Sequence, residues 1–337
     1  QMTLAIVGLG FMGATHLKAA KAIPNLELAV VSRDDQKLKG DLSRVGGNTG
    51  GENTFMSFEG IKTFRSFPEV LLDPKIDAVD LCLPTKLHES FAIEAFRAGK
   101  HVLVEKPMAL DGAACDRMIA EAEKAGRLLM AAQVLRFFPA YDSLASWLKS
   151  DGAGPVRTAL FRRRCAAPGW GPWLQDKTQS GGGVFDLLIH DIDMALSLFG
   201  PPNSVSATGF EDLANKVDTI NAQLLYPNFA VTVTGGWHHE GYPFSMEFTV
   251  TTQNGTLDYH SRDPKPALYQ KGLAPSDYPA SHSLDGYQAE IEYFVSCVRN
   301  KTKPSKCLPQ DSARAVRLAQ LLLDSRTRQG ENLLCQI

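Results

Sequence analysis

Glu105-Lys106-Pro107 sets an acid beside an amine at the end of a short apolar run, His101 to Val104. The run is bounded by Gly99 and Pro107 and is too short for a helix, so it reads as a buried strand. In open α/β sheets the carboxyl ends of strands are where ligands bind. Pro107 stops the strand and confines Lys106 to an extended backbone, which aims the ammonium by geometry. Fixed groups of this kind serve proton transfer and the stabilisation of developing charge. A surface salt bridge at a strand end is the bland alternative. A second group lies in Gly181-Gly-Gly183-Val-Phe-Asp186-Leu-Leu-Ile-His190-Asp-Ile-Asp193. Spacings of four and three put Asp186, His190 and Asp193 on one face of a helix. An acid one turn before a histidine can hold the ring's orientation and tautomer; a solvated helix face has the same pattern. No metal site is expected, because Asp-x-x-x-His lacks a third convergent ligand nearby and His238-His239 point to opposite sides of a strand.

These residues need elements to place them. Leu4 to Val7, then Gly8-Leu-Gly10-Phe11-Met12-Gly13, then Ala14 to Ile23 is strand, glycine turn and helix, the context of a dinucleotide fingerprint. Gly8 allows the tight turn, Gly10 lets the backbone approach a pyrophosphate, and Gly13 lets helix and strand pack closely. The pyrophosphate sits on the helix N-terminus, and Phe11 and Met12 fall within the same contact set. Glu27 to Val31 is the second strand, whose end reads the adenosine ribose. An acid there marks NAD, whereas this chain has Ser32 and Arg33, and a guanidinium suits a 2'-phosphate. NADP(H) is therefore favoured, with NAD(H) left open because Asp34 and Asp35 follow. Ile76 to Leu83 is a further strand, and Thr85 and His88 just past it are expected to face the nicotinamide. Asp41 to Gly60 reads as a long glycine-rich loop, most simply a tolerated surface insertion.

Strands alternating with helices up to Ala132 predict an N-terminal α/β domain with a parallel, doubly wound sheet over residues 1–133. From 134 to 337 strands succeed one another, with Asn254-Gly255 as a hairpin signal. This half is expected to be an α+β domain with a large, mostly antiparallel open sheet. A net charge of −2 gives no footprint for nucleic acid or an anionic membrane. No apolar run approaches the roughly 18 residues of a membrane span. Six scattered cysteines without a C-x-x-C pair, and no leader-like N-terminus, predict reduced thiols and a cytoplasmic location.

The motifs Gly8-x-Gly10-x-x-Gly13, Thr85-Lys-Leu-His88, Ala98-Gly-Lys-His-Val-x-Val-Glu105-Lys106-Pro107 and Gly181-Gly-Gly-x-x-Asp186-x-x-x-His190 together resemble the glucose-fructose oxidoreductase / inositol dehydrogenase / MocA family over nearly the whole length. The resemblance implies a Rossmann domain joined to an open-sheet domain used for oligomer contacts, with a homodimer or homotetramer expected. It implies pyridine-nucleotide redox on sugars, cyclitols or other polyols. It makes Lys106 and His190 catalytic and places Asp186 in the substrate site, with Glu105 beside the cofactor and Arg136 near the substrate. Trp170 and Trp173 offer flat apolar faces suited to a sugar ring. The glycine-rich loop at 46–53 and the tryptophan loop depart from the family pattern. Redox-assisted glycoside cleavage and a non-catalytic sugar or nucleotide sensor stay open beside the dehydrogenase reading.

Overall fold

A computed structural model describes residues 1–45 and 55–337. The glycine-rich loop at 46–53 lies outside the described residues. The chain divides into two compact units. The first comprises Gln1–Val134, Pro168–Trp173 and Asp285–Ala313; the second comprises Leu135–Ala167, Leu174–Leu284 and Arg314–Ile337. The expected single boundary at 133/134 is thus crossed again by two later segments.

The first unit opens with β1 (Met2–Val7), α1 (Phe11–Lys21), β2 (Leu26–Val31), α2 (Asp35–Leu38), β3 (Lys62–Phe64) and α3 (Phe67–Leu72). It continues with β4 (Ala78–Leu81), α4 (His88–Arg97), β5 (His101–Glu105), α5 (Gly112–Ala125) and β6 (Leu129–Ala132). All six strands are parallel, in the order β3-β2-β1-β4-β5-β6. The order reverses between β1 and β4, which makes that edge the ligand crevice of a doubly wound sheet. β1, β4 and β6 are buried along their whole length, as continuous apolar runs covered on both faces must be.

The second unit carries α6 (Pro139–Lys149), β7 (Val156–Ala166), α7 (Lys177–Ser180), α8 (Gly183–Phe199), β8 (Ser204–Asp212), β9 (Val217–Leu225) and β10 (Ala230–His238). Then come β11 (Ser245–Thr252), β12 (Thr256–His260), β13 (Ala267–Tyr269) and β14 (Ser276–Asp277). Two long helices follow, α9 (Gly286–Asn300) and α10 (Pro309–Thr327), before β15 (Leu333–Leu334). The nine-stranded sheet runs β14-β13-β12-β11-β7-β10-β9-β8-β15 and is antiparallel except where β10 lies parallel to β7. Period-two alternation sorts its faces: Val231 and Val233 are fully buried, while Thr232 and Thr234 bond Gln223 and Asn221 on the other side. α8 packs on β7, β9 and β10. Within the first unit α9 packs on α1, burying Ile291, Phe294 and Val295. No helix among the described residues is long and apolar enough to cross a membrane, and the six cysteines are free thiols.

Candidate active site

The glycine turn after β1 has the local geometry the sequence predicts. Gly8 adopts φ +97°, and a Cβ there would meet the Cys82 carbonyl oxygen at 2.5 Å. A Cβ on Gly13 would lie 1.8 Å from the Gly8 carbonyl oxygen, so helix and turn touch backbone to backbone. Gly10 is different. Its φ of −75° suits any residue, and a Cβ there would meet nothing within 4 Å among the described residues. Packing among the described residues gives no reason for glycine at this position. Gly10 is the N-cap of α1, no side chain caps that end, and the first turn carries no acid. Main-chain N–H groups and the helix dipole there suit an anion.

The other strand ends of this unit line up along the same edge. Ser32 and Arg33 follow β2; Ser32 is half-buried and Arg33 exposed. The two acids after them are engaged elsewhere. Asp34 caps α2 through the N–H groups of Gln36 and Lys37 and pairs with Arg44 at 3.0 Å, and Asp35 pairs with Arg65 at 2.7 Å. Thr85, past β4, is buried, and its hydroxyl has no partner among the described residues. Glu105 and the half-buried Lys106 end β5, with a cis peptide between Lys106 and Pro107.

His88 departs from expectation. Its ring is fully buried, with Nδ1 2.9 Å from the Pro107 carbonyl and Nε2 2.9 Å from the Leu83 carbonyl. Burial pushes its pKa down against the pull of those carbonyls. The ring clamps the loops after β4 and β5 to each other instead of facing a ligand. Trp170 lies in the segment Pro168–Trp173, which belongs to the first unit. Its ring packs on Phe11 at 4.9 Å between centroids, tilted by 52°, beside the first turn of α1. Trp173 is half-buried in the 3-10 turn Pro172–Gln175.

In the second unit α8 starts where Gly183 leaves room for Trp237; a Cβ there would stand 2.5 Å from the indole. Asp218 on β9 accepts from Val184 N–H at 2.9 Å and pairs with Arg326 at 2.7 Å, which anchors the helix start. From Gly183 to Leu196 every residue of α8 is buried except Asp186 and His190. Those two positions, one turn apart, are the helix's window. Asp193 does not share it: it is buried and takes Arg136 in a bidentate pair at 2.8 and 2.9 Å. Arg136 is therefore committed to tying the segment before α6 to α8.

Sequence reasoning passed over His16, Asp80, Gln133 and Glu290, all fully or nearly fully buried. The signals were present in Asp80 within an apolar strand and His16 among alanines and leucines on α1. Neither has meaning until distant segments meet.

Residues 2–133 match a family model described as an oxidoreductase family with an NAD-binding Rossmann fold, and residues 141–258 match the GFO/IDH/MocA C-terminal domain. The chain belongs to the Gfo/Idh/MocA oxidoreductase family. Among curated Gfo/Idh/MocA relatives, the myo-inositol 2-dehydrogenase of Thermotoga maritima is 29% identical over 318 residues, covering 90% of each chain. The trans-1,2-dihydrobenzene-1,2-diol dehydrogenase of Mus musculus is 29% identical over 348 residues, covering 96% of each. The crystal structure of aldose-aldose oxidoreductase from Caulobacter crescentus, complexed with glycerol, superposes with a TM-score of 0.81. It is 26% identical, and the match covers 99% of this chain and 100% of that one. The protein is thus an oxidoreductase of a nicotinamide-dependent family whose members act on sugars and polyols.

Proposed function

We propose that the protein is an NADP-dependent oxidoreductase that moves a hydride between nicotinamide and a hydroxyl or carbonyl carbon of a sugar, cyclitol or related polyol. The observation that carries this reading is the open turn at Gly10 on the uncapped end of α1, with Lys106 two strands away on the same edge of the sheet. When bound, the nicotinamide supplies the hydride acceptor. Gly8 to Gly13 hold the pyrophosphate, Ser32 and Arg33 take the 2'-phosphate, and Thr85 and Glu105 line the nicotinamide side. The engagement of Asp34 and Asp35 in capping and ion pairs leaves Arg33 as the charged group for the adenosine end.

Oxidation of an alcohol sends hydride from carbon to the cofactor and the hydroxyl proton to a base. In our reading Lys106 polarises the substrate oxygen, His190 takes the proton, and Asp186 orients His190. The partial exposure of Asp186 and His190, alone among the residues of α8 from Gly183 to Leu196, supports this assignment. Trp170 and Trp173 are assigned to apolar sugar faces, and Arg136, paired with Asp193, to the substrate side. A screen of sugars and polyols with NADP+ and NAD+, followed by absorbance of the reduced nicotinamide, tests the reading. Reduction of NADP+ by at least one polyol is expected. Release of an aglycone without accumulation of reduced cofactor would replace it.

A further inference from the structure

The first unit contains a buried ionic cluster behind Glu105 and Lys106, two of whose members, His16 and Asp80, have no part in the proposed reaction. His16, three residues past Gly13, is fully buried. Its Nδ1 is hydrogen-bonded to Asp80 Oδ2 on β4 at 2.6 Å, and its Nε2 lies 2.8 Å from Glu105 Oε1 at the end of β5 in an ion-pair contact that is off the axis of a hydrogen bond. The second Glu105 oxygen, Oε2, accepts the main-chain N–H of Lys106 at 3.0 Å. With the ring proton on Nδ1, where Asp80 accepts it, a neutral imidazole would bring an unprotonated Nε2 within 2.8 Å of a carboxylate oxygen. An imidazolium donates to Asp80 and sets positive charge beside Glu105. His16, Asp80 and Cys82 are also close enough together to suggest a bound cation. The 2.6 Å contact rules against it, since two ligands about 2.0 Å from a tetrahedral zinc stand about 3.3 Å apart. The cation of this cluster is His16 itself.

We infer that His16, as a buried imidazolium, is a positioning residue for Lys106: it fixes the Glu105 carboxylate, which in turn fixes the Lys106 main chain at the strand end. The inference rests on the proposed role of Lys106. The titratable and charged groups around it are Asp80 and Cys82 from β4, His88 from α4, Glu105 and Lys106 from β5, and Asp285, Tyr287 and Glu290 from α9 and its cap. Burial opposes charge on His16, and the Asp80 carboxylate more than reverses that, raising its pKa well above the ordinary range. Burial likewise opposes ionisation of Glu105, and His16 and Lys106 outweigh it, holding the carboxyl below its usual value. Burial keeps the Cys82 thiol protonated. Glu290 is wholly buried, with neither carboxyl oxygen partnered among the described residues. Burial pushes its pKa far up against the pull of His16, and Glu105 and Asp80 add to the rise.

Two variants separate positioning from mere packing. Gln at position 16 keeps a donor near the site of Nε2, toward Glu105; Asn keeps one near the site of Nδ1, toward Asp80. In the ligand-free wild type, 15N NMR of the His16 ring is expected to show both nitrogens protonated through the neutral range. His16→Asn is expected to lose the slow exchange of the Lys106 amide and about 10²-fold in kcat, with KM and NADPH affinity little changed. The acid limb of its kcat profile moves to higher pH, because Glu105 protonates more easily. His16→Gln is expected to lose much less of both. A neutral His16 ring, or a His16→Asn enzyme with wild-type kcat and a protected Lys106 amide, overturns the inference. If His16→Asn does not fold, Asp80→Asn is measured instead; a ring that stays charged, or one that loses its charge while the Lys106 amide protection and kcat stay as in the wild type, overturns it equally. The NMR readouts need no substrate, so a failure to find hydride transfer would defeat the reading of Lys106 while leaving this test intact.

Discussion

Arg33 is separated from the acids that follow it by what each already touches. Asp34 and Asp35 hold a helix start and two arginines, while Arg33 stands exposed at the end of β2. Arg33→Ala is expected to weaken NADP(H) binding by about 1.5–3 kcal/mol, the worth of charge-assisted hydrogen bonds, and to leave NAD(H) binding nearly unchanged in fluorescence titrations. Equal losses for both cofactors would remove the 2'-phosphate role. His101 gives a second prediction at this scale. Its Nδ1 accepts the Leu128 N–H at 3.0 Å, and burial with Arg127 nearby lowers its pKa to about 4. A lowered folded-state value means that its contribution to stability is present above its ordinary value of 6.5 and is lost as pH falls toward 4. Asn at 101 can accept the same N–H without titrating. The stability gap between wild type and His101→Asn should therefore shift against the wild type on acidification through that window, as read from urea midpoints. A gap independent of pH would contradict it.

At the scale of elements, the two ends of the fingerprint turn carry different loads. Gly13 is required by the fold, because its Cβ would fall on the Gly8 carbonyl. Gly13→Ala is expected to cost about 1–3 kcal/mol of stability through overpacking. Gly10→Val should change the ligand-free melting midpoint little, since a Cβ there meets nothing among the described residues, yet it should abolish tight NADPH binding. A Gly10→Val protein that binds NADPH as the wild type does would show that the turn is not the pyrophosphate site. This turn was legible in the sequence because strand, glycines and helix are contiguous and each has a local physical reason. The alternation behind the parallel sheet, and the strand succession behind the second sheet, were legible for the same cause. The parallel pairing of β7 with β10 was not. Some 60 residues separate the partners, and no local pattern encodes which distant strand they meet. His88 misled for a related reason: its position past a strand end is right for a ligand contact, but the ring is fully buried between the Pro107 and Leu83 carbonyls, one of which takes its single N–H. The His16–Asp80–Glu105 cluster joins three elements and shows in sequence only as polar residues in apolar company.

For the whole molecule, the chain's return to the first unit through α9 could not be read from composition, because the helix is an ordinary amphipathic one until its partner α1 is known. The nine-stranded sheet bears on assembly. One face buries Val231, Val233, Phe161 and Phe248; the other carries Thr232, Thr234, Gln223 and Asn221 in mutual hydrogen bonds, with Arg162 paired to Glu247. We propose that this polar, self-satisfied face joins copies of the chain in a homodimer or homotetramer. Light scattering at micromolar concentration should give a mass of at least two chains, and introducing like charges with Thr232→Glu and Thr234→Glu should lower it; a monomeric wild type would remove the proposal. In the proposed reaction Lys106 and His190 carry the chemistry at a nicotinamide cofactor. Steady-state nicotinamide reduction on the best polyol substrate, measured beside NADPH affinity, tests this most directly for wild type, Lys106→Ala and His190→Ala. Each variant is expected to lose about 10²–10⁴-fold in kcat while NADPH affinity falls far less. A Lys106→Ala enzyme with kcat within about threefold of wild type, far short of the loss a positioned acid or base carries, would contradict it.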